Sequence, residues 1–143
     1  MFTIGTMAEM KNLITGVAHI GIRVFDLDRA RRFYEDLGFE FIVGPVGPEP
    51  VAILTHPSGT IINLILNASS GETPNILMDV EDKHPGYTHV ALAVRDIKEV
   101  EDTLNQKGIS ITEEPIKFPG GTSLFVRDPD RNVIEFHEEN TKI

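Results

Sequence analysis

A chain of 143 residues is long enough for one compact unit, or for two small modules that share a core. Its 41% hydrophobic and 24% charged residues are those of an ordinary soluble globular protein, and no stretch approaches the roughly 20 apolar residues of a membrane span. There is no cysteine, which excludes disulfides, zinc–thiolate centres and thiol nucleophiles, and a formal net charge of −9 opposes binding to nucleic acid or anionic lipid.

Residues 1–14 lack the basic start, long apolar run and cleavage site of a secretory signal. They read as a frayed leader, and a cytoplasmic location is the expectation. A first module is expected over residues 15–66. Val17 to Phe25 has strand composition, with Val17, His19, Gly21 and Arg23 on one face and Ala18, Ile20, Ile22 and Val24 on the other. Asp28 is a candidate N-cap for a helix that carries Ala30, Phe33, Tyr34 and Leu37 on one side and ends at Gly38. Phe39 to Val43 reads as a strand, and GPVGPEP after it as a loop. Val51 to Thr55 and Thr60 to Leu66 are two more strands, joined by a turn at His56-Pro-Ser-Gly59.

Residues 67–84 form a polar linker with one apolar knot, Ile76-Leu77-Met78. The pattern then restarts in a second module over 85–138, leaving 139–143 as a tail. Thr88 to Arg95 is its first strand, with His89, Ala91, Ala93 and Arg95 on one face. A helix from about Asp96 buries Ile97, Val100 and Leu104 and ends at Gly108. Ile109 to Thr112 is a strand, EEPIKFPGG a loop, and Ser123 to Arg127 pairs with Asn132 to His137 around Asp128-Pro-Asp-Arg131. His89, Asp96 and Gly108 each lie 70 residues after His19, Asp26 and Gly38, and Pro129 lies 72 after Pro57. The chain is therefore two copies of strand–helix–strand–strand–strand.

The repeat makes four positions equivalent: His19 and Asn63 in the first module, His89 and Glu135 in the second. Two imidazoles and a carboxylate can hold a divalent metal and leave positions open for substrate, which suits Fe(II), Mn, Co, Ni or Zn. A lone histidine in a strand is more often structural. Glu135 by pattern alone is equally an edge-strand charge facing solvent, and only the alignment with Asn63 raises it above that. His137, two residues beyond Glu135 and on its face, is a candidate for substrate contact or for a place behind the ligands. Arg23 shares a face with His19 and could hold an anionic substrate group, an exposed strand arginine being the alternative. Lys117 is a weaker candidate of the same kind. His56 and His84 have no counterpart in the other module and are bystanders.

The segments VAHIGIRVFDLDRARRFYEDLGFEF, YTHVALAVRDIKEVEDTLNQKG and FVRDPDRNVIEFHE resemble the vicinal oxygen chelate superfamily, which includes glyoxalase I, methylmalonyl-CoA epimerase, fosfomycin-resistance enzymes, extradiol dioxygenases and bleomycin-resistance proteins. The resemblance spans residues 15–138. It implies an α+β fold of two tandem βαβββ modules, a curved mixed sheet around a metal-binding cleft. It places metal ligands at His19, His89 and Glu135. Asn63 stands where glyoxalase I usually has a glutamate and the epimerase a glutamine. It is neutral and shorter, so it is expected to reach the metal through water or to bond substrate.

The implied chemistry is bidentate chelation of two adjacent substrate oxygens by one divalent metal, with Glu135 as both ligand and catalytic base. A lyase or isomerase acting on a small 2-oxo or 2-hydroxy compound or a thioester is the leading expectation. A non-haem Fe(II) dioxygenase, a fosfomycin-type resistance enzyme and a metal-free binding protein are the alternatives. Two open half-sheets leave edges to cover, so a homodimer is expected. Family members pair their modules within one chain or between two, and the resemblance leaves that open here.

Overall fold

The computed structural model describes residues 7–140, and the expected leader and tail lie partly outside them, at 1–6 and 141–143. A single turn, α1 (Met10–Leu13), precedes the first module. That module runs β1 (Ile20–Arg23), α2 (Leu27–Asp36), β2 (Glu40–Val46), β3 (Val51–Thr55) and β4 (Ile61–Ile65). The second runs β5 (His89–Ala93), α3 (Ile97–Gln106), β6 (Ile111–Phe118), β7 (Gly121–Arg127) and β8 (Val133–Glu139).

Each module forms its own four-stranded mixed sheet, ordered β1-β4-β3-β2 and β5-β8-β7-β6. The first and last strands of each module pair parallel and the remaining pairs are antiparallel. The α+β tandem repeat is therefore present, as two sheets rather than one continuous sheet. β1 and β5 are both edges. The register repeats as faithfully as the sequence: Ile53 lies opposite Asn63 and Val51 opposite Ile65, as Phe125 lies opposite Glu135 and Ser123 opposite His137.

Helix starts obey the repeat better than local composition does. The N-cap of α2 is Asp26, not Asp28: its carboxylate accepts from the Arg29 amide at 2.8 Å. Asp96 does the same for α3, accepting from the Glu99 amide at 3.1 Å. Asp28 instead lies in the first turn, where a negative charge favours the helix dipole. Asp26→Ala should cost about 1 kcal/mol, read as a lower urea midpoint at unchanged m-value. Both helices end at a glycine with positive φ, Gly38 (95°) and Gly108 (72°).

Strand extends into both expected loops, over the first three residues of GPVGPEP and most of EEPIKFPGG. β2 runs on through Gly44 and Pro45, joined by a cis peptide bond, to Val46, and β6 runs on through Pro115 to Phe118. Register shifts between Val43 and Val46 and between Glu113 and Ile116 take up the prolines. Both strands are sheet edges, where a residue without an N–H breaks no inner ladder.

The core lies on the helix side of both sheets and is continuous between modules. Ile22, Val24, Leu54, Ile62 and Leu64 of the first join Leu104, Leu124, Val126, Ile134 and Phe136 of the second, with Tyr34 among them. Polar contacts lock the modules. Tyr34 Oη donates to Asp128 Oδ2 at 2.7 Å, Arg29 Nη2 to Asp130 Oδ1 at 2.6 Å, and Asn132 Nδ2 to the Arg23 carbonyl at 3.2 Å. The linker is pinned to the second module by Asp79, which accepts two bonds from Arg127 at 2.8 Å each. Those bonds hold the Asp79 carboxyl below its usual range. Because the helix faces pack together, the opposite face of each sheet turns outward.

Candidate functional site

Strand alternation sets the outward face of the second module. His89, Ala91 and Ala93 of β5 lie beside Val133, Glu135 and His137 of β8, and Phe125 and Ser123 of β7 complete the surface. On it His89 Nε2 and Glu135 Oε1 are 2.8 Å apart. The other polar atom of each side chain is held by a hydroxyl. Thr88 Oγ1 sits 2.8 Å from His89 Nδ1, and Ser123 Oγ donates to Glu135 Oε2 at 2.7 Å. Ser123 Oγ is also 2.7 Å from His137 Nδ1, and the Phe125 and His89 rings meet at a steep angle with centroids 5.9 Å apart. A ring nitrogen and a carboxylate oxygen thus converge, each oriented from behind by a hydroxyl, an arrangement also used to hold metal-binding imidazoles and carboxylates.

The first-module candidates lie elsewhere. His19 is exposed just before β1, and its ring has no hydrogen-bond partner among the described residues. Asn63 is half-buried on β4, level with Gly21 of β1. Arg23 is anchored: Nε donates to Asn67 Oδ1 at 2.8 Å and Nη2 to Glu49 Oε1 at 3.4 Å. Lys117 is level with Thr122, one residue from Ser123 along β7, so it lies on the sheet face opposite Glu135. Among the described residues no three His, Asp or Glu side chains converge on one centre. His89 and Glu135 are brought together within the chain, and His19 does not join them.

A cleft of about 1540 Å³ runs between β1, β5 and α3. His19 and His89 line its rim, whereas Glu135, Asn63 and Ser123 do not. It is the open seam between two edge strands, reached by His19, Arg23 and His89 but not by the carboxylate of Glu135. The His56 nitrogens contact Ser58 Oγ at 2.9 Å and the Leu37 carbonyl at 3.1 Å, tying the β3–β4 turn to the end of α2.

The family model described as "Glyoxalase/Bleomycin resistance protein/Dioxygenase superfamily" matches residues 16–136. The chain belongs to this superfamily. The glyoxalase-superfamily relatives include a lactoylglutathione lyase of Haemophilus influenzae, 32% identical over 132 residues, covering 87% of this chain and 93% of the relative. A probable lactoylglutathione lyase of Synechocystis is also 32% identical, over 133 residues, covering 87% of this chain and 95% of the relative. Among solved structures, a glyoxalase family protein from Enterococcus faecalis superposes with a TM-score of 0.72 at 27% identity, covering 88% of this chain and 99% of that one.

Within this glyoxalase fold, Thr88 and Ser123 are the residues that sequence reasoning missed. A signal for Ser123 was present. Counting back from the Asp128–Arg131 turn places it opposite His137, two pairs beyond Phe125 and Glu135 and on the same sheet face.

Proposed function

We propose that the chain is a metal-dependent glyoxalase-like enzyme, a lyase or isomerase acting on a small 2-oxo or 2-hydroxy compound or a thioester. The observation that carries this reading is the 2.8 Å approach of His89 Nε2 to Glu135 Oε1 with Thr88 and Ser123 behind them. That donor set fits half of a divalent centre, Ni, Co, Zn, Mn or Fe. His19, at the repeat-equivalent position, supplies the third ligand. Bound there, the metal supplies Lewis-acid stabilisation for negative charge developing on two adjacent substrate oxygens.

The protein groups do the rest. Glu135 takes a proton from the carbon next to the substrate carbonyl and returns it to the neighbouring carbon. Asn63 is neutral and bonds substrate rather than acting as a second base. Ala91 and Ala93, small and exposed on the same face, leave room above the sheet. Arg23, steadied by Asn67 and Glu49, offers a cation near His19 for an anionic substrate group. The naming of the relatives as lactoylglutathione lyases favours hemithioacetals and S-acyl thioesters as the first compounds to assay.

The third ligand comes from a second copy of the chain. Both outward faces are open, β1 and β5 are unpaired edges, and Val17 and Tyr87, equivalent positions just before them, are 85% and 99% exposed. A homodimer that seats the first module of one chain against the second module of the other covers all of these at once.

Metal content of protein purified without added metal or chelator tests the reading. Roughly one Ni, Co, Zn or Mn per chain is expected, lost in both His89→Ala and Glu135→Ala. Iron would shift the reading to a dioxygenase, and no uptake on titration would leave a metal-free binding protein.

A further inference from the structure

We infer that Ser123 is the positioning residue of the site: its hydroxyl fixes the orientation of Glu135 and the tautomer of His137, making the three side chains one rigid unit. Ser123 is completely buried, and its Oγ lies 2.7 Å from both Glu135 Oε2 and His137 Nδ1. A hydroxyl carries one hydrogen, and a carboxylate oxygen only accepts. The hydrogen therefore goes to Glu135, and His137 Nδ1 must donate to Ser123. The neutral His137 ring is the Nδ1–H tautomer, with the Nε2 lone pair left free. Direct contact cannot replace this arrangement, because His137 Nδ1 and Glu135 Oε2 are 3.7 Å apart. Gly121 packs closely beside this group: a Cβ there would lie 2.1 Å from the Glu138 carbonyl oxygen and 2.9 Å from His137 Cε1.

The fold does not require this polar pair. In the first module the equivalent cross-strand pair is Val51 and Ile65, and the sheet forms with the same register. A buried serine bonded to a half-buried histidine, in the module that carries the carboxylate and not in the other, points to a task tied to Glu135. Holding one carboxylate oxygen at Ser123 leaves Oε1 as the free ligand beside His89 Nε2. The geometry stands without a metal, whereas the consequence for metal affinity rests on the function proposed above.

Two measurements on the full chain separate these. In metal-free protein at about pH 8, long-range nitrogen–proton NMR of the imidazoles should show His137 as the Nδ1–H tautomer. In Ser123→Ala that signature should vanish and the His89 ring signals should shift, because Glu135 is no longer held. Titration with Co²⁺ should show affinity about 10–100-fold lower for Ser123→Ala. Ser123→Val with His137→Ile, which copies the first module's own pair, should stay folded and bind Co²⁺ as weakly as Ser123→Ala. An Nε2–H tautomer for His137 in the wild type overturns the inference, and so do unchanged His89 signals in Ser123→Ala. If the signals change as expected but the wild type takes up no Co²⁺, the positioning role of Ser123 is upheld and the proposed metal enzyme falls.

Discussion

Asp128→Ala is expected to cost about 3–5 kcal/mol of folding free energy, more than any other substitution at the junction between the modules. The carboxylate is 3% exposed and accepts four hydrogen bonds: Tyr34 Oη at 2.7 Å, the Asp130 amide at 2.8 Å, Asn132 Nδ2 at 2.8 Å and the Asn132 amide at 2.9 Å. Its removal strands the buried Tyr34 hydroxyl of the first module together with half-buried donors of the second. Tyr34→Phe deletes one donor and keeps the ring in the core, so about 1–2 kcal/mol is expected. Urea denaturation followed by circular dichroism measures both, and equal losses would mean that Asp128 holds only the tyrosine.

The same pair gives the protein an alkaline limit. Burial first, and the Asp128 charge second, push the Tyr34 phenol well above its ordinary value of 10.0. Between that value and the higher folded one, the unfolded chain has released the proton and the native chain has not. Stability from this group is complete below about pH 10 and is lost as pH rises through the folded value. A falling unfolding midpoint above about pH 10, absent in Tyr34→Phe, is the expected signature. Asp128 is also raised, by burial working against its bonds from Asn132 and Tyr34, so its contribution too is greatest on the acid side.

The scaffold was legible in the sequence because it is written twice. His19 with His89, Asp26 with Asp96 and Gly38 with Gly108 mark the repeat without any structure, and the alternation of Ile20, Ile22 and Val24 marks the buried face. Local composition and the repeat disagree at a few positions, and there the structure follows the repeat or the sheet edge. Asp28 looks like an N-cap beside Asp26 until Asp96 decides between them. Prolines at 45 and 115 read as loop because composition does not reveal which strands are edges, where a bulge accommodates them. Glu135 stands out as a candidate through its alignment with Asn63, whereas nothing of the kind marks Ser123. A serine in a strand carries no signal until hairpin register sets it against His137. Nor does strand patterning say which surface of one module meets the other. That choice brings Tyr34 against Asp128, and within the single chain His19 does not join His89 and Glu135.

Mixing His19→Ala with Glu135→Ala chains is expected to restore activity that neither variant has alone. If the site is built from His19 and Asn63 of one chain and His89 and Glu135 of the other, each pure variant lacks a ligand at both of its sites. In a mixed dimer one site collects both lesions and the other collects none. With random exchange about half the dimers are mixed, so recovery to about a quarter of wild-type activity is expected, with metal content rising in step. His89→Ala with Glu135→Ala supplies the control. These residues share a sheet face 2.8 Å apart and so belong to the same half-site, and their mixture should stay inactive. Recovery in the first mixture and not in the second identifies the half-sites. No recovery in either, with subunit exchange verified by labelled chains, would mean that His19 reaches His89 within one chain by a rearrangement of the modules. That rearrangement would have to break the Tyr34–Asp128 and Arg29–Asp130 contacts, and Asp128→Ala would then favour the active form instead of only weakening the fold.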